Sequence, residues 1–379
     1  MRNIKYIALL MAVVLLFAAC SNKSDKPAEN EKKSEVNEEV KEENNEAKEE
    51  LKAEVKEEKT EDKKVKEEAK NVNEELVHEV FVGASWVNDL LDGKHGDNYV
   101  IAEVTWGEAK DSPDYLKEHI PGAIHINTDS IEEGPVWNIR SDAEIEKAML
   151  DYGITSDTTL LIYGPDTGAH RVAFVALYAG VKDVKVLDGG LNAWKKAGFE
   201  TEADEVAPVK AENFGVTVPA HKEYWLSLDD AVKKLPSDDF RLISIRSEEE
   251  WLGETSGYGY IPKAGEPAGA YWGKSGEGNG GMGFYQNEDG TNKPFDEIVK
   301  MWEEQGITTD KELSFYCGTG WRACLPWLLC YERGLNANVF DGGWNEWQMH
   351  DELDAQVGDP NNGGSIVKVK DLPNDKAAK

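Results

Sequence analysis

The sequence predicts an α/β fold with two tandem domains, each a parallel sheet flanked by helices, after a polar N-terminal segment. Three observations predict this architecture. The chain has 379 residues, which is more than one compact domain usually needs. Short β-rich runs alternate with segments of helical spacing. Two separate stretches of the chain also recur at one common offset, which indicates a duplicated unit.

The repeat consists of two pairs of matching runs. GITSD at 153–157 matches GITTD at 306–310, and DGGLNAW at 188–194 matches DGGWNEW at 341–347. Both pairs share one offset, and a period this long indicates two similar domains rather than a solenoid.

The domain boundaries follow from the limits of the repeat. We place the first domain at 76–204 and the second at 215–357, with polar residues and prolines between them. Residues 358–379 are rich in polar residues and glycine, and we expect them to form a flexible tail.

Each domain reads as alternating strands and helices. In the first domain, the predicted strands are 99–104, 159–163 and 184–187, and the predicted helices are 143–152 and 170–179. In the second domain, the predicted strands are 242–245, 313–316 and 337–340, and the predicted helices are 295–305 and 322–332. Strands that alternate with helices usually pair in parallel, so we expect a parallel sheet in each domain.

The first 20 residues have the features of a secretory signal peptide. Arg2 and Lys5 precede an apolar run at 7–19 that is too short to span a bilayer. Small residues lead directly into Cys20, as in a bacterial lipoprotein signal. We therefore expect a lipid anchor on Cys20, an extracytoplasmic location at the cell membrane, and no other membrane contact. The alternative is an ordinary cleaved signal in which Cys20 stands by chance.

Residues 21–75 are dominated by glutamate and lysine and contain no aromatic residue. Such a segment cannot bury enough apolar surface to fold, so we expect a disordered, acidic stalk. A coiled coil that binds a partner is the alternative, but no sustained apolar heptad supports it. The net charge of −31 for the whole chain excludes nucleic acid as an expected partner.

The chemistry points to Cys317. The repeat offset places Gly164 of the first domain opposite this cysteine, and both follow a strand that ends in tyrosine. Loops between a parallel strand and a helix are where α/β sheets place their sites. Gly318 and Gly320 allow successive N–H groups to converge on an anion beside the helix N-terminus. A cysteine there favours the nucleophilic thiolate form, and Arg322 would add a cation at the rim.

This combination resembles the rhodanese superfamily, specifically its two-domain sulfurtransferases of the bacterial exported lipoprotein type. The resemblance rests on HIPGA at 119–123, on the Asp-Gly-Gly runs that end in tryptophan, and on the CGTGWR loop at 317–322. It implies two tandem rhodanese-like domains, the first of them inactive because Gly164 replaces the cysteine. It also implies that Cys317 carries sulfur as a persulfide, from thiosulfate to cyanide or a thiol, without a metal or organic cofactor.

The resemblance further implies a set of substrate-binding residues for a small anionic sulfur donor. These are Arg246, Gly318, Thr319, Gly320, Trp321 and Arg322. Arg246 matches the family arginine that follows the first central strand, although Ser244 stands where an acidic residue is usual. A structural ion pair is the alternative for Arg246. Trp321 either shapes the pocket mouth or packs against the neighbouring domain.

Several alternatives remain open from the sequence. Neutral Gly318 and Thr319 resemble the loop of 3-mercaptopyruvate sulfurtransferases, whereas the cation of Arg322 favours thiosulfate. A surface sulfur-relay or binding module without turnover is a third reading, and its acceptor is not identified. A phosphatase of the same fold would need a loop one residue longer between Cys317 and Arg322. We expect Cys324 and Cys330 to be core residues rather than resolving thiols.

Overall fold

The structure, a computed structural model, describes residues 76–378. The signal peptide with Cys20 and the acidic stalk lie outside these residues, so the expectations about them stay predictions. Within 76–378, no helix is both long enough and apolar enough to cross a membrane.

The first domain is built on a five-stranded parallel sheet with the strand order β1-β7-β6-β2-β3. Its strands are β1 (Phe81–Val82), β2 (Tyr99–Thr105), β3 (Ile124–Asn127), β6 (Thr159–Tyr163) and β7 (Asp183–Leu187). A separate antiparallel hairpin joins β4 (Glu132–Glu133) to β5 (Asn138–Ile139). Its helices are α1 (Ala84–Leu91), α2 (Pro113–Lys117), α3 (Asp142–Asp151), α4 (Gly168–Ala179) and α5 (Gly190–Lys196).

The second domain repeats this topology. Its parallel sheet has the order β8-β13-β12-β9-β11, which is the order of the first sheet strand for strand. The strands are β8 (Trp225–Leu226), β9 (Phe240–Ser244), β11 (Tyr271–Trp272), β12 (Glu312–Tyr316) and β13 (Ala337–Phe340). The helices are α6 (Leu228–Lys234), α7 (Glu248–Trp251), α8 (Phe295–Glu304), α9 (Trp321–Tyr331) and α10 (Gly343–Trp347). The predicted duplication of an α/β unit is therefore confirmed.

The predicted strands and helices are all present, and their ends differ from the predicted ends by at most two residues. The sequence analysis missed short elements, among them the strands β1 and β3, because two to four extended residues carry little periodic pattern. It also missed the eight-residue helix α1.

The two domains join along helices α4 and α9. Every residue of α4 is buried, since the helix packs on its own sheet and also against α9. Phe174 and Trp327 meet edge to face at this contact, with ring centroids 5.0 Å apart. Burial on all sides explains why most of α4 is apolar, and the charge of its buried Arg171 is paired with Glu132 and Asp341.

Part of the segment predicted as a flexible tail, 358–379, belongs to a small antiparallel sheet. The segment β15 (Ser365–Lys368) pairs antiparallel with β14 (Asp354–Val357), which also pairs with β10 (Glu266–Pro267). Val369 and Leu372 are buried behind this small sheet. The turn-forming residues at 358–364 make the tight connection between β14 and β15.

Candidate active site

The Cys317 loop lies at the carboxyl end of the second sheet, between β12 and α9. Gly320 has a φ of 93°, which only glycine adopts readily, and it starts helix α9. The loop is held from behind by the second Asp-Gly-Gly run. Trp344 and Asn345 donate their backbone N–H groups to the carbonyls of Cys317 and Gly318, at 2.9 Å and 3.0 Å.

Gly343 makes this support possible. A Cβ atom at this position would lie 2.4 Å from the carbonyl oxygen of Cys317, and the φ of Gly343 is 52°. Gly190, its counterpart in the first domain, has a φ of 56° and lies behind Gly164 more loosely, since a Cβ there would lie 3.4 Å from the Gly164 carbonyl oxygen. The repeated Asp-Gly-Gly run is therefore a structural support for the loop that follows the central strand.

Tyr258 covers the thiol. Its hydroxyl lies 4.0 Å from Cys317 Sγ, and a Cβ on Gly318 would lie 2.1 Å from its ring. Thr319, two residues after Cys317, is also buried. Cys317 has no exposed surface in this arrangement, so a sulfur donor reaches Sγ only when the Tyr258 cover shifts.

Arg322 is buried instead of lying at the rim, which corrects the expectation from the sequence. It is 1% exposed and forms two hydrogen bonds with Glu250, of 2.7 Å and 2.9 Å. It also donates to the Tyr258 hydroxyl at 3.2 Å. Burial raises the pKa of Glu250, but Arg322 and Arg246 outweigh it and hold that pKa at about 2. The Arg322 charge is therefore matched by a carboxylate and acts on the thiol through Tyr258.

Arg246 lies beneath the loop in a network of ion pairs. Its guanidinium donates to Glu250 at 3.1 Å, to Glu266 at 2.8 Å and to two backbone carbonyls. Glu266 supplies the acidic group that Ser244 lacks, and it also accepts a hydrogen bond from the Tyr316 hydroxyl. Burial raises the pKa of Glu266 to about 7. These contacts correspond to the structural alternative for Arg246.

The first domain contacts the loop directly. Trp321 donates its indole N–H to Glu132 at 2.7 Å, so it packs against the neighbouring domain. Arg171 pairs with Glu132 at 3.1 Å and with Asp341 at 2.5 Å. A Cβ on Gly320 would lie 2.6 Å from the Arg171 guanidinium. The loop is thus enclosed by residues of both domains.

Cys324 and Cys330 are buried within α9, where the sequence placed them in the core. The Cys324 thiol donates to the carbonyl of Gly320 at 3.2 Å. Burial raises the pKa of both thiols, so both are held in the unreactive protonated form.

The sequence missed three residues that shape the site. Glu250 follows Arg246 by one helical turn, and this spacing could have indicated an ion pair. Tyr258 and Arg171 gave no usable pattern, because one lies in an irregular segment and the other in the opposite domain.

Comparison with known proteins supports the duplication. A family model described as a rhodanese-like domain matches residues 85–197 and 227–350, both inside the predicted domains. Thiosulfate sulfurtransferase YnjE of Escherichia coli K12 is 41% identical over 289 residues, which cover 74% of this chain and 66% of that relative. Its crystal structure has a TM-score of 0.71 and is matched over 68% of its length. Sulfur carrier protein TtuD of Thermus thermophilus is 30% identical, over 71% of this chain and 93% of its own length.

A further similarity concerns an anaerobic ergothioneine biosynthesis enzyme of Chlorobium limicola, solved with trimethyl histidine. It is 36% identical, with a TM-score of 0.71, over 74% of this chain and 70% of its own. The similar enzyme EanB has been solved with a cysteine persulfide and ergothioneine, in a variant that replaces a tyrosine 59 residues before that cysteine. Other EanB variants replace a threonine two residues after it. In this chain Tyr258 and Thr319 have the same spacings from Cys317.

Proposed function

Because the chain belongs to the rhodanese family, whose domain it carries twice, we propose that it is a sulfurtransferase that uses Cys317. The observation that carries this proposal is the position of Cys317. It stands in the strand-to-helix loop of the second domain, beneath the Tyr258 hydroxyl, while Gly164 occupies the matching place in the first.

The proposed reaction has two steps. The Cys317 thiolate attacks the outer sulfur of thiosulfate, the S–S bond of the donor breaks with its electron pair, and sulfite leaves. An acceptor then removes the outer sulfur of the Cys317 persulfide, and the thiolate is regenerated. The N–H groups at the start of α9 and the Tyr258 hydroxyl stabilise the anionic sulfur in both steps.

Thiosulfate is the proposed donor chiefly because a relative with 41% identity is named for it. The buried charged residues favour thiosulfate less strongly than the sequence indicated. Arg322 and Arg246 are matched by Glu250 and Glu266, so the region beneath the loop carries little net positive charge. 3-Mercaptopyruvate remains the alternative donor.

A second candidate concerns the acceptor. The shared spacing of Tyr258, Cys317 and Thr319 with EanB favours trimethyl histidine as a sulfur acceptor. In that reaction the persulfide would transfer its outer sulfur to a ring carbon, the displaced hydrogen would leave as a proton, and the Cys317 thiolate would return.

The test compares both donors and three acceptors in one set of assays. We expect kcat/KM with thiosulfate to exceed that with 3-mercaptopyruvate, and intact mass to show one added sulfur atom that cyanide removes. Cys317→Ser should abolish sulfur uptake, whereas Cys324→Ser, a matched change one helical turn into α9, should retain most of the turnover.

Each other outcome has a defined meaning. A clear preference for 3-mercaptopyruvate would replace the proposed donor. Release of sulfur to trimethyl histidine but not to cyanide or a thiol would establish the second acceptor. Sulfur uptake without release to any of the three would favour a relay module, and undiminished turnover in Cys317→Ser would refute the proposal.

A further inference from the structure

The first domain contains a cavity of about 730 Å³ at the place that matches the Cys317 loop. It opens over Gly164, at the carboxyl ends of β2, β6 and β7. A glycine-rich segment of the second domain at 280–290 forms one side of it. Ligands in open α/β sheets bind at this edge, although the domain has no cysteine here.

The lining of this cavity is strongly acidic. Aspartates and glutamates from both domains line it, among them Glu103, Asp166, Asp188 and Asp289. Lys195 is the single lysine or arginine among the described residues that line it. Its charge is matched by Glu118 at 2.5 Å, so it does not neutralise the others.

The register of the two sheets shows which residues of the second domain's site have no counterpart in the first domain. Glu103 pairs with the tyrosine at the end of β6, just as Ser244 pairs with the tyrosine at the end of β12. Two residues further on, the second domain has Arg246 and the first has Thr105. The repeat offset likewise places Ala169 opposite Arg322. Both buried guanidinium groups of the second domain therefore have no counterpart in the first.

Glu103 is a buried carboxylate at the matching place in the first domain, where the two arginines of the second domain have no counterpart. It is 5% exposed, its Oε2 has no hydrogen-bond partner, and it lines the cavity. It pairs with Tyr163 across the sheet, at the position where Tyr316 of the second domain bonds to Glu266. Burial raises the pKa of Glu103 to about 7. A cation placed beside Glu103 would satisfy a carboxylate that is costly to bury alone.

Other features of the cavity favour an organic cation over a metal ion. Within 76–378, no group of three or more histidine, cysteine, aspartate or glutamate side chains is arranged to hold a metal ion. Trp106 lines the cavity and is 65% exposed, so its ring is free to cover a bound ligand. Its indole N–H is fixed by Asp129 at 3.0 Å. An aromatic ring beside carboxylates is a favourable environment for an organic cation.

We propose that this cavity binds a small organic cation with a guanidinium or ammonium group, which occupies the space of the two missing arginines beside Glu103. The site is separate from Cys317 and does not depend on the proposed sulfur transfer. The ligand's charged group would lie against Glu103, and its remaining part would contact Trp106.

The test uses phenylguanidine and phenylurea, which have nearly the same shape but differ in charge. Each is titrated into the full-length protein by isothermal calorimetry. We expect phenylguanidine to bind at least about tenfold more tightly than phenylurea, as expected when a buried carboxylate gains a charged partner. Glu103→Gln should weaken phenylguanidine binding by about tenfold or more.

Two further variants make the result specific. Glu303→Gln removes the same charge from the exposed surface of α8 and should leave binding unchanged. Trp106→Ala alters an exposed side chain, so it should fold normally and weaken binding by about fivefold. Equal binding of the two probes, binding of neither, or unchanged affinity in Glu103→Gln or Trp106→Ala would overturn the proposal.

Discussion

The hydroxyl of Tyr258 links the Cys317 thiol to the buried charged residues. Its hydroxyl faces Sγ on one side and accepts a hydrogen bond from Arg322 on the other. Arg322 polarises this hydroxyl, which makes it a better donor to an anionic sulfur. The cation of Arg322 therefore influences the thiol indirectly, through a neutral group.

Tyr258→Phe tests this role. The variant keeps the ring that covers Cys317 and loses only the hydroxyl, so the fold should persist. We expect kcat/KM for sulfur uptake to fall by about tenfold, the value of one hydrogen bond to a charged group. Rapid-mixing measurement of persulfide formation would show the loss. Tyr271→Phe, a half-buried tyrosine on β11, is the control and should react at the normal rate. Equal rates in the two variants would exclude Tyr258 as a donor to sulfur.

The loop between β12 and α9 could be predicted from the sequence because its pattern is local. A β-rich run, two glycines and a helical segment follow one another, and the repeat places Gly164 of the first domain opposite Cys317. The cover and the buried charges could not be predicted in this way. Tyr258 reaches the site from an irregular segment and Glu266 from the two-residue strand β10, and only the folded chain places them beside Cys317 and Arg246.

Gly343→Ala tests the support behind this loop. Its Cβ would lie 2.4 Å from the Cys317 carbonyl, too close to fit without moving the loop. We expect at least about a hundredfold loss of turnover, since a displacement near 1 Å at a reacting group has that effect.

Gly190→Ala is the matched control. Gly190 has a similar φ of 56°, but its added Cβ would lie 3.4 Å from the Gly164 carbonyl, a contact that a small shift relieves. Both variants should lose some stability from the strained backbone. Only Gly343→Ala should lose turnover, and a similar loss in both would attribute the effect to backbone strain in general.

At the scale of the whole molecule, the first domain acts as a support for the loop of the second. The sequence predicted the duplication but not this contact, because the residues involved are far apart in the chain and follow no shared motif. Arg171 of α4 lies between Glu132 of its own domain and Asp341 of the other, and all three are buried. Asp341 also accepts hydrogen bonds from the Ile139 backbone and the Trp225 indole.

Arg171→Met tests whether this interface supports the site. The variant replaces the guanidinium with an unbranched apolar side chain and leaves Glu132 and Asp341 buried without their cation. Breaking a buried ion pair in this way costs about 3–5 kcal/mol, so the free energy of unfolding should fall by about that amount. Turnover should fall as well, because the Arg171 guanidinium packs against Gly320. Urea unfolding would measure the loss of stability. Steady-state assays without urea, at a temperature well below thermal unfolding, would measure the loss of turnover.

Lys182→Met removes the exposed Lys182–Asp157 pair of the same domain and should change neither quantity appreciably. Wild-type stability and turnover in Arg171→Met would show that the second domain holds its loop without the first.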